Sequence, residues 1–279
     1  MLDLIADETA LMTPELVELS AWLGHIPFAF AVVKWHNPRV LVELGTQSGV
    51  SYCAFCQAVR ACNISCKCYA VDTWTGDEHT GPYGEEVFGE LSGYHASRYS
   101  HFSQLLKMSF DEALGHFTDG SIDLLHIDGC HLYEAVKHDF ESWLPKMSHR
   151  GIVLLHDTCV EVRDFGVGQL LHELELEYPS FEFTHSYGLG IVGVGSLIHQ
   201  EPIWELFRAD EKQAMVVKGL FSTLGQRVEL LHELRVAKAT VAARDAHLAE
   251  ATRTWGAVGR SHLRRVTKPL RMLAKLLRE

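Results

Sequence analysis

Four apolar runs in this chain each end at a carboxylate, and that recurrence limits the fold more than any other feature of the sequence. They are Val40-Leu41-Val42-Glu43, "CKCYAVD" to Asp72, "IDLLHI" followed by Asp128, and "GIVLLH" followed by Asp157. Segments with helical spacing separate them, as in "VSYCAFCQAVRAC" after the first run and residues 132–144 after the third. Strands that alternate with helices fold into a parallel sheet with helices on both faces, and such sheets bind ligands at the carboxyl ends of their strands. The four acids are therefore expected along one rim. The predicted fold class is α/β, a doubly wound, mostly parallel seven-stranded sheet.

Around this core, the apolar pattern of residues 14–35 predicts a helix that caps the sheet. Residues 75–100 read as a long polar and aromatic excursion, and a helix is expected at about 101–107. A helix at 164–177 and two closing strands within 181–195 complete the core. The expected divisions are a helical cap over 1–35, a core over 36–198 and a helical extension over 199–279. In the extension Leu234, Val241 and Leu248 stand seven apart, and over so short a run the reading is an ordinary amphipathic helix.

Charge and cysteine usage narrow the function. The net charge of −11 argues against a nucleic-acid surface on the body. Residues 260–279 hold seven Lys/Arg and one Glu, whereas residues 1–259 hold 18 basic and 35 acidic residues, so a basic tail follows an acidic body. Pro269 is expected to interrupt that tail, which suits an interfacial helix on anionic lipid or a linker to a partner. The seven cysteines read as buried free thiols. A zinc site from Cys53-x-x-Cys56 and Cys66-x-Cys68 is disfavoured, because these pairs lie in helical and strand patterns. No apolar run is long enough to span a bilayer, and the acidic start lacks the layout of a signal peptide. A cytoplasmic location is expected, with the inner membrane face as a further station through the tail.

The turn "ELGTQSG" joins the first strand to the first core helix. Its spacing is G-x-x-x-G, not the G-x-G-x-x-G of dinucleotide binders, which disfavours a nicotinamide-dependent oxidoreductase. An acid before the turn and an acid after the second strand suit a cationic ligand that carries a ribose, and S-adenosylmethionine is such a ligand.

Residues 39–195 resemble class I S-adenosylmethionine-dependent methyltransferases, and more narrowly the metal-dependent O-methyltransferases of sugar and natural-product pathways associated with glycan biosynthesis. The resemblance rests on "VELGTQSGVS", "AVDTW", "SIDLLHIDGCHLYEAVKHDFESWLPK" and "GIVLLHDT", with Asp-Gly-x-His after the third run as its most specific piece. It implies that Glu43, Gly45, Thr46, Gly49 and Asp72 contact the cofactor, with Ser109 and Phe110 against its adenine. It implies His131 as general base and Asp128, His156 and Asp157 around a divalent metal, Mg²⁺ or Mn²⁺. The relatives end the last of these strands in two oxygen ligands, and His156-Asp157 departs from that pattern toward a softer ion.

The implied partner is a sugar-containing acceptor. A membrane surface or a glycosyltransferase partner, and an oligomer, stand as further expectations. The rival readings are a catalytically silent cofactor-binding scaffold and a catechol-type O-methyltransferase. His126 and His138 are read as structural, and Trp74, Asp77 and His79 as either acceptor-pocket or surface-loop residues.

Overall fold

The computed structural model describes residues 7–77, 81–162 and 164–277. His79 lies outside them, as does the side chain of Asp77. The chain forms two compact units, one ending at Leu230 and one beginning at Leu231.

The first unit is built on a seven-stranded sheet. Its strands are β1 (Val40–Leu44), β2 (Lys67–Asp72), β3 (Ser103–Lys107), β4 (Ile122–Ile127), β5 (Met147–His156), β6 (Ser180–Phe183) and β7 (Leu189–Gly193). Their spatial order is β3-β2-β1-β4-β5-β7-β6. The first five run parallel, and β7 is antiparallel to both of its neighbours. This is the doubly wound, mostly parallel seven-stranded sheet that the sequence predicts. Leu44 lies opposite both Val71 and Ile127, so the ends of the three central strands are level, and Asp72 and Asp128, each the next residue on, share one rim.

Burial on both faces explains why β1 and β4 are almost wholly apolar. On one face Val42, Leu125, Val153 and Leu155 pack with Val136, Phe140 and Trp143 of α5 (Tyr133–Trp143) and with Leu170 and Leu171 of α6 (Val167–Leu174). Helix α1 (Ile26–His36) is buried nearly all round, as suits a helix inside a core. Its Phe28 meets Phe183 of β6 and Phe221 edge to face, at 4.8 and 5.5 Å between ring centroids. The remaining helices of this unit's core are α2 (Val50–Ala61), α3 (Glu85–Ala96) and the single turn α4 (Phe110–Ala113). The short helix α7 (Trp204–Phe207) follows β7, and then α8 (Glu211–Leu276), whose residues up to Leu230 belong to this unit.

Several sequence expectations are corrected. Residues 101–107 contain strand β3, not a helix: Ser103 and Leu105 pair with Cys68 and Ala70 of β2, so an edge place in the sheet overrides local preference. The excursion 75–100 contains helix α3, whose Glu85 and Glu86 favour a helix start. The helical pattern predicted over 14–35 becomes a helix only at Ile26, with Pro27 in its first turn, where a missing amide hydrogen costs nothing. The segment before it runs without regular structure to a single 3-10 turn at Leu23–His25. Cys53, Cys56, Cys66 and Cys68 are buried free thiols.

The second unit is the helical segment of α8 from Leu231 to Leu276. Pro269 lies inside the helix, which continues through it although the ring removes one backbone hydrogen bond. No helix among the described residues is long and apolar enough to cross a membrane.

Candidate functional site

The turn after β1 is held by the acid at the end of β2. Asp72 Oδ2 accepts from the amides of Thr46 (2.8 Å) and Gln47 (2.9 Å), and Oδ1 accepts from the amide of Trp74 (2.6 Å). Trp74 in turn donates from Nε1 to the carbonyl of Gln47 at 2.9 Å. The carboxylate read as a ribose acceptor thus also fixes the turn. Gly45 is required here: its φ is +84°, and a Cβ would lie 2.1 Å from the backbone oxygen of Asp128. Gly129 leaves room for a ring, because a Cβ there would stand 2.5 Å from Phe110.

These elements surround a cavity of about 360 Å³ at the carboxyl ends of the strands. Of the predicted site residues, Gly45, Thr46, Asp72, Ser109, Phe110, Asp128, His131, His156 and Asp157 line it. Gly49 stands behind the wall as the cap of α2. Ser109 is tied into a capping box with Glu112 at the start of α4.

Glu43 is not on the cavity wall. It is wholly buried below it, and its Oε2 accepts from Nδ1 of His126 at 2.8 Å. The tautomer follows, because Nε2 of His126 must accept the indole hydrogen of Trp22 at 3.1 Å. Burial holds Glu43 above the usual carboxylate range against the pull of His126. His126 is structural, as its place within a strand suggests.

At the far end of the cavity two acids and two histidines meet. Nε2 of His131 lies 2.8 Å from Oδ2 of Asp157 and 3.6 Å from Oδ1 of Asp128. Nδ1 of His156 lies 3.2 Å from Oδ1 of Asp128 and 3.4 Å from Oδ2 of Asp157. The other nitrogen of His156 faces the carbonyl of Ser186 at 3.3 Å. With acceptors on both sides, His156 can donate from both nitrogens, as an imidazolium does. Burial alone would lower both histidines. For His156 the nearby charge of Asp128 outweighs it, carrying the pKa up to about 10, and for His131 the hydrogen bonds to Asp128 and Asp157 carry it up to about 9. Burial likewise opposes ionisation of Asp128 and Asp157, yet the histidines hold both below the usual range.

Local structure aims these groups. Asp157 takes a left-handed φ of +63° as the chain leaves β5, and its amide donates to the carbonyl of Gly188 at 3.1 Å. The ring of His131 stacks on Phe165, with centroids 4.8 Å apart and planes nearly parallel, which fixes its orientation. Among the described residues, Asp128, His131 and Asp157 each offer one ligand atom, all within 4.8 Å of one another. Two carboxylates and one imidazole suit a divalent ion of Mn²⁺ or Fe²⁺ character.

Ser20, Ala21, Trp22 and Tyr83 also line the cavity, and the sequence reading missed them as site residues. For Trp22 a signal exists: a large aromatic with a hydrogen-bond donor, just before a helix start, needs a buried partner. Trp74 is buried behind the turn, not on the cavity wall, and packs on Phe88 at 4.8 Å.

Comparison with known proteins bears on the same stretch. The chain is 50% identical over 179 residues to an uncharacterized protein, y4gI, of Sinorhizobium fredii; the match covers 64% of this chain and 20% of that relative, so this chain spans about one fifth of its length. Three solved structures align at low identity. A proposed caffeoyl-CoA O-methyltransferase from Staphylococcus aureus has TM-score 0.49 at 16% identity, over 63% of this chain and 85% of its own. Cofactor-bound Rv0187 from MTB has TM-score 0.48 at 12% identity, over 69% and 88%. The O-methyltransferase TomG of Streptomyces achromogenes, involved in tomaymycin synthesis and solved with S-adenosylmethionine, has TM-score 0.45 at 14% identity, over 65% and 92%. Likeness this distant says nothing of substrate. Residues 42–158 match the model of a methyltransferase domain family, and that stretch carries the turn, Asp72, Asp128, His131 and the His156-Asp157 pair.

Proposed function

We propose that this chain transfers a methyl group from S-adenosylmethionine to a hydroxyl group of a sugar. The observation that carries this reading is one cavity with two ends: the Gly45 turn held by Asp72 at one, and Asp128, His131 and Asp157 at the other. The match of residues 42–158 to a methyltransferase domain supports the donor. The sequence resemblance to sugar-pathway O-methyltransferases supports the acceptor.

Methyl transfer from a sulfonium is an in-line displacement, so catalysis is mostly positioning of the two reactants. The Gly45 turn, Asp72 and Phe110 line the end of the cavity that would take the donor. A sugar hydroxyl is almost fully protonated near neutral pH and must lose its proton as the methyl arrives. His131, its ring held by Phe165, would take that proton in its neutral form; the two acids beside Nε2 favour the protonated form, so transfer is expected to rise with pH toward about 9. With His131 kept as the base and not as a third ligand, Asp128 and Asp157 would hold a divalent ion, which when bound supplies Lewis-acid stabilisation of the oxygen that loses its proton. His156, donating to both acids and to the Ser186 carbonyl, keeps their oxygens in place.

Calorimetric titration with S-adenosylhomocysteine, with and without EDTA, tests the donor. Binding in both conditions is expected, and absence of binding in both would sink the reading. Transfer of labelled methyl to a panel of sugars and catechols then tests the acceptor. Product on catechols and none on sugars would replace the sugar with a phenol.

A further inference from the structure

We infer that the second unit pairs with a second copy of this chain as a parallel two-stranded coiled coil. The segment from Leu231 is a single helix, and from Glu233 to Glu250 every side chain is exposed. A lone helix in water gains little from backbone propensity; helices in proteins are held by packing an apolar stripe. This helix has such a stripe. Leu234, Val241, Leu248 and Trp255 recur every seven residues and are 50%, 57%, 63% and 76% exposed. Trp255 extends the spacing seen in the sequence to three full heptads along one line of the helix. Steps of seven drift only about 20° around a helix, so the four side chains form a seam. The ordinary amphipathic helix expected from the sequence is set aside, because this unit is one helix and within itself offers the stripe nothing to pack on.

Charge identifies the occupant. With the seam residues at position a, Glu233 falls at g, Lys238 at e, Arg244 at d and Asp245 at e. None of the four has an oppositely charged residue three or four places away on its own helix. In a parallel pair, g of one helix meets the following e of the other, so Glu233 meets Lys238 of the second copy, twice by symmetry. Position d packs beside e of the facing helix, which sets Arg244 against Asp245 of the second copy. An antiparallel pair centred on Arg244 leaves Glu233 and Lys238 without partners. Ala237 and Ala251 at the other d positions let the helices approach closely.

Sedimentation velocity on the whole chain tests this. A dimer is expected at about 10 μM, and the double variant Val241→Asp/Leu248→Asp is expected to raise its dissociation constant at least about a hundredfold. The melting transition of the sheet unit serves as the folding control and should not move. Glu233→Lys and Lys238→Glu should each weaken the dimer about tenfold, and the two together should restore it. Oxidation of Val241→Cys should link 241 to 241 across the copies, beyond any linkage seen in the native chain. A monomer at about 100 μM, a trimer, or a dimer indifferent to the double aspartate variant would overturn the inference. Failure of the charge reversal to rescue would overturn the parallel register.

Discussion

Two buried charge clusters sit at opposite ends of the same parallel strands, and they are built to different plans. At the amino ends, Asp123 of β4 is fully buried and accepts from Nε and Nη2 of Arg39, from the Arg39 amide and from the hydroxyl of Ser148, all within 3 Å. Arg150 beside it is clamped by both oxygens of Glu201 and donates to the carbonyl of His36. Each formal charge is spent on a fixed partner. At the carboxyl ends, Asp128, His131, His156 and Asp157 also pair, but their atoms converge on a cavity and Asp128 keeps part of its surface open. Buried charge that is closed fastens the sheet, whereas buried charge that opens on a cavity is held ready for a ligand.

This contrast can be broken by exchanging one atom at each end. Asp128→Asn should lower methyl transfer at least about a hundredfold and leave the melting temperature within a few degrees. Asp123→Asn should do the reverse, removing about 2–3 kcal/mol of stability while transfer at low temperature survives; the figure is discounted because Arg39 is largely exposed. Parallel assays of melting and turnover on both variants decide. If Asp128→Asn melts far lower and keeps its turnover, the carboxyl-end cluster is structural as well.

Gly45→Ala probes the join between turn and acid rim. A Cβ there collides with the backbone of Asp128, so S-adenosylhomocysteine binding should weaken at least about tenfold. Unaltered binding would mean that the turn tolerates displacement.

Acid sharpens the comparison further. Burial would raise the Asp123 carboxyl, but the hydrogen bonds from Arg39 and Ser148 outweigh it and hold the group far below the usual range. A depressed acid contributes stability above its unfolded value and loses it as pH falls toward the folded one. The gap between native chain and Asp123→Asn should therefore be full at about pH 6 and shrink below about pH 4, as denaturant melts at several pH values can show. A gap that widens toward acid would reverse the assignment. The smallest effect expected is at Trp22→Phe, which removes the donor to His126 and should cost about 1 kcal/mol in the same melts.

What the sequence discloses is what periodicity and chemistry force. The buried parallel strands had to be apolar throughout, so β1, β4 and β5 can be read directly, and an acid at the end of each is too costly to bury without purpose. The rim and most of the cavity wall follow from that. Strand β3 is hidden because it lies at the sheet edge, where "SQLLK" needs no alternation strong enough to outvote its helical look. Glu43 misleads for a related reason: an acid next to a glycine turn reads as a ligand contact, yet its partner His126 lies 83 residues away and is visible only when β1 and β4 are side by side. The place of His156 depends on a carbonyl in the loop at Ser186, which no local pattern announces.

The tie from Trp22 through His126 to Glu43 has a consequence for how the cavity is completed. Sheet pairing alone brings Asp72, Asp128 and Asp157 level, but the wall formed by Ser20, Ala21 and Trp22 comes from chain that precedes every strand and is held by a contact to β4. A molecule in which the strands have paired and that segment has not seated holds its acids in register around an unfinished basin. Ligand affinity then reports on whether that segment is seated, and not only on whether the strands have paired.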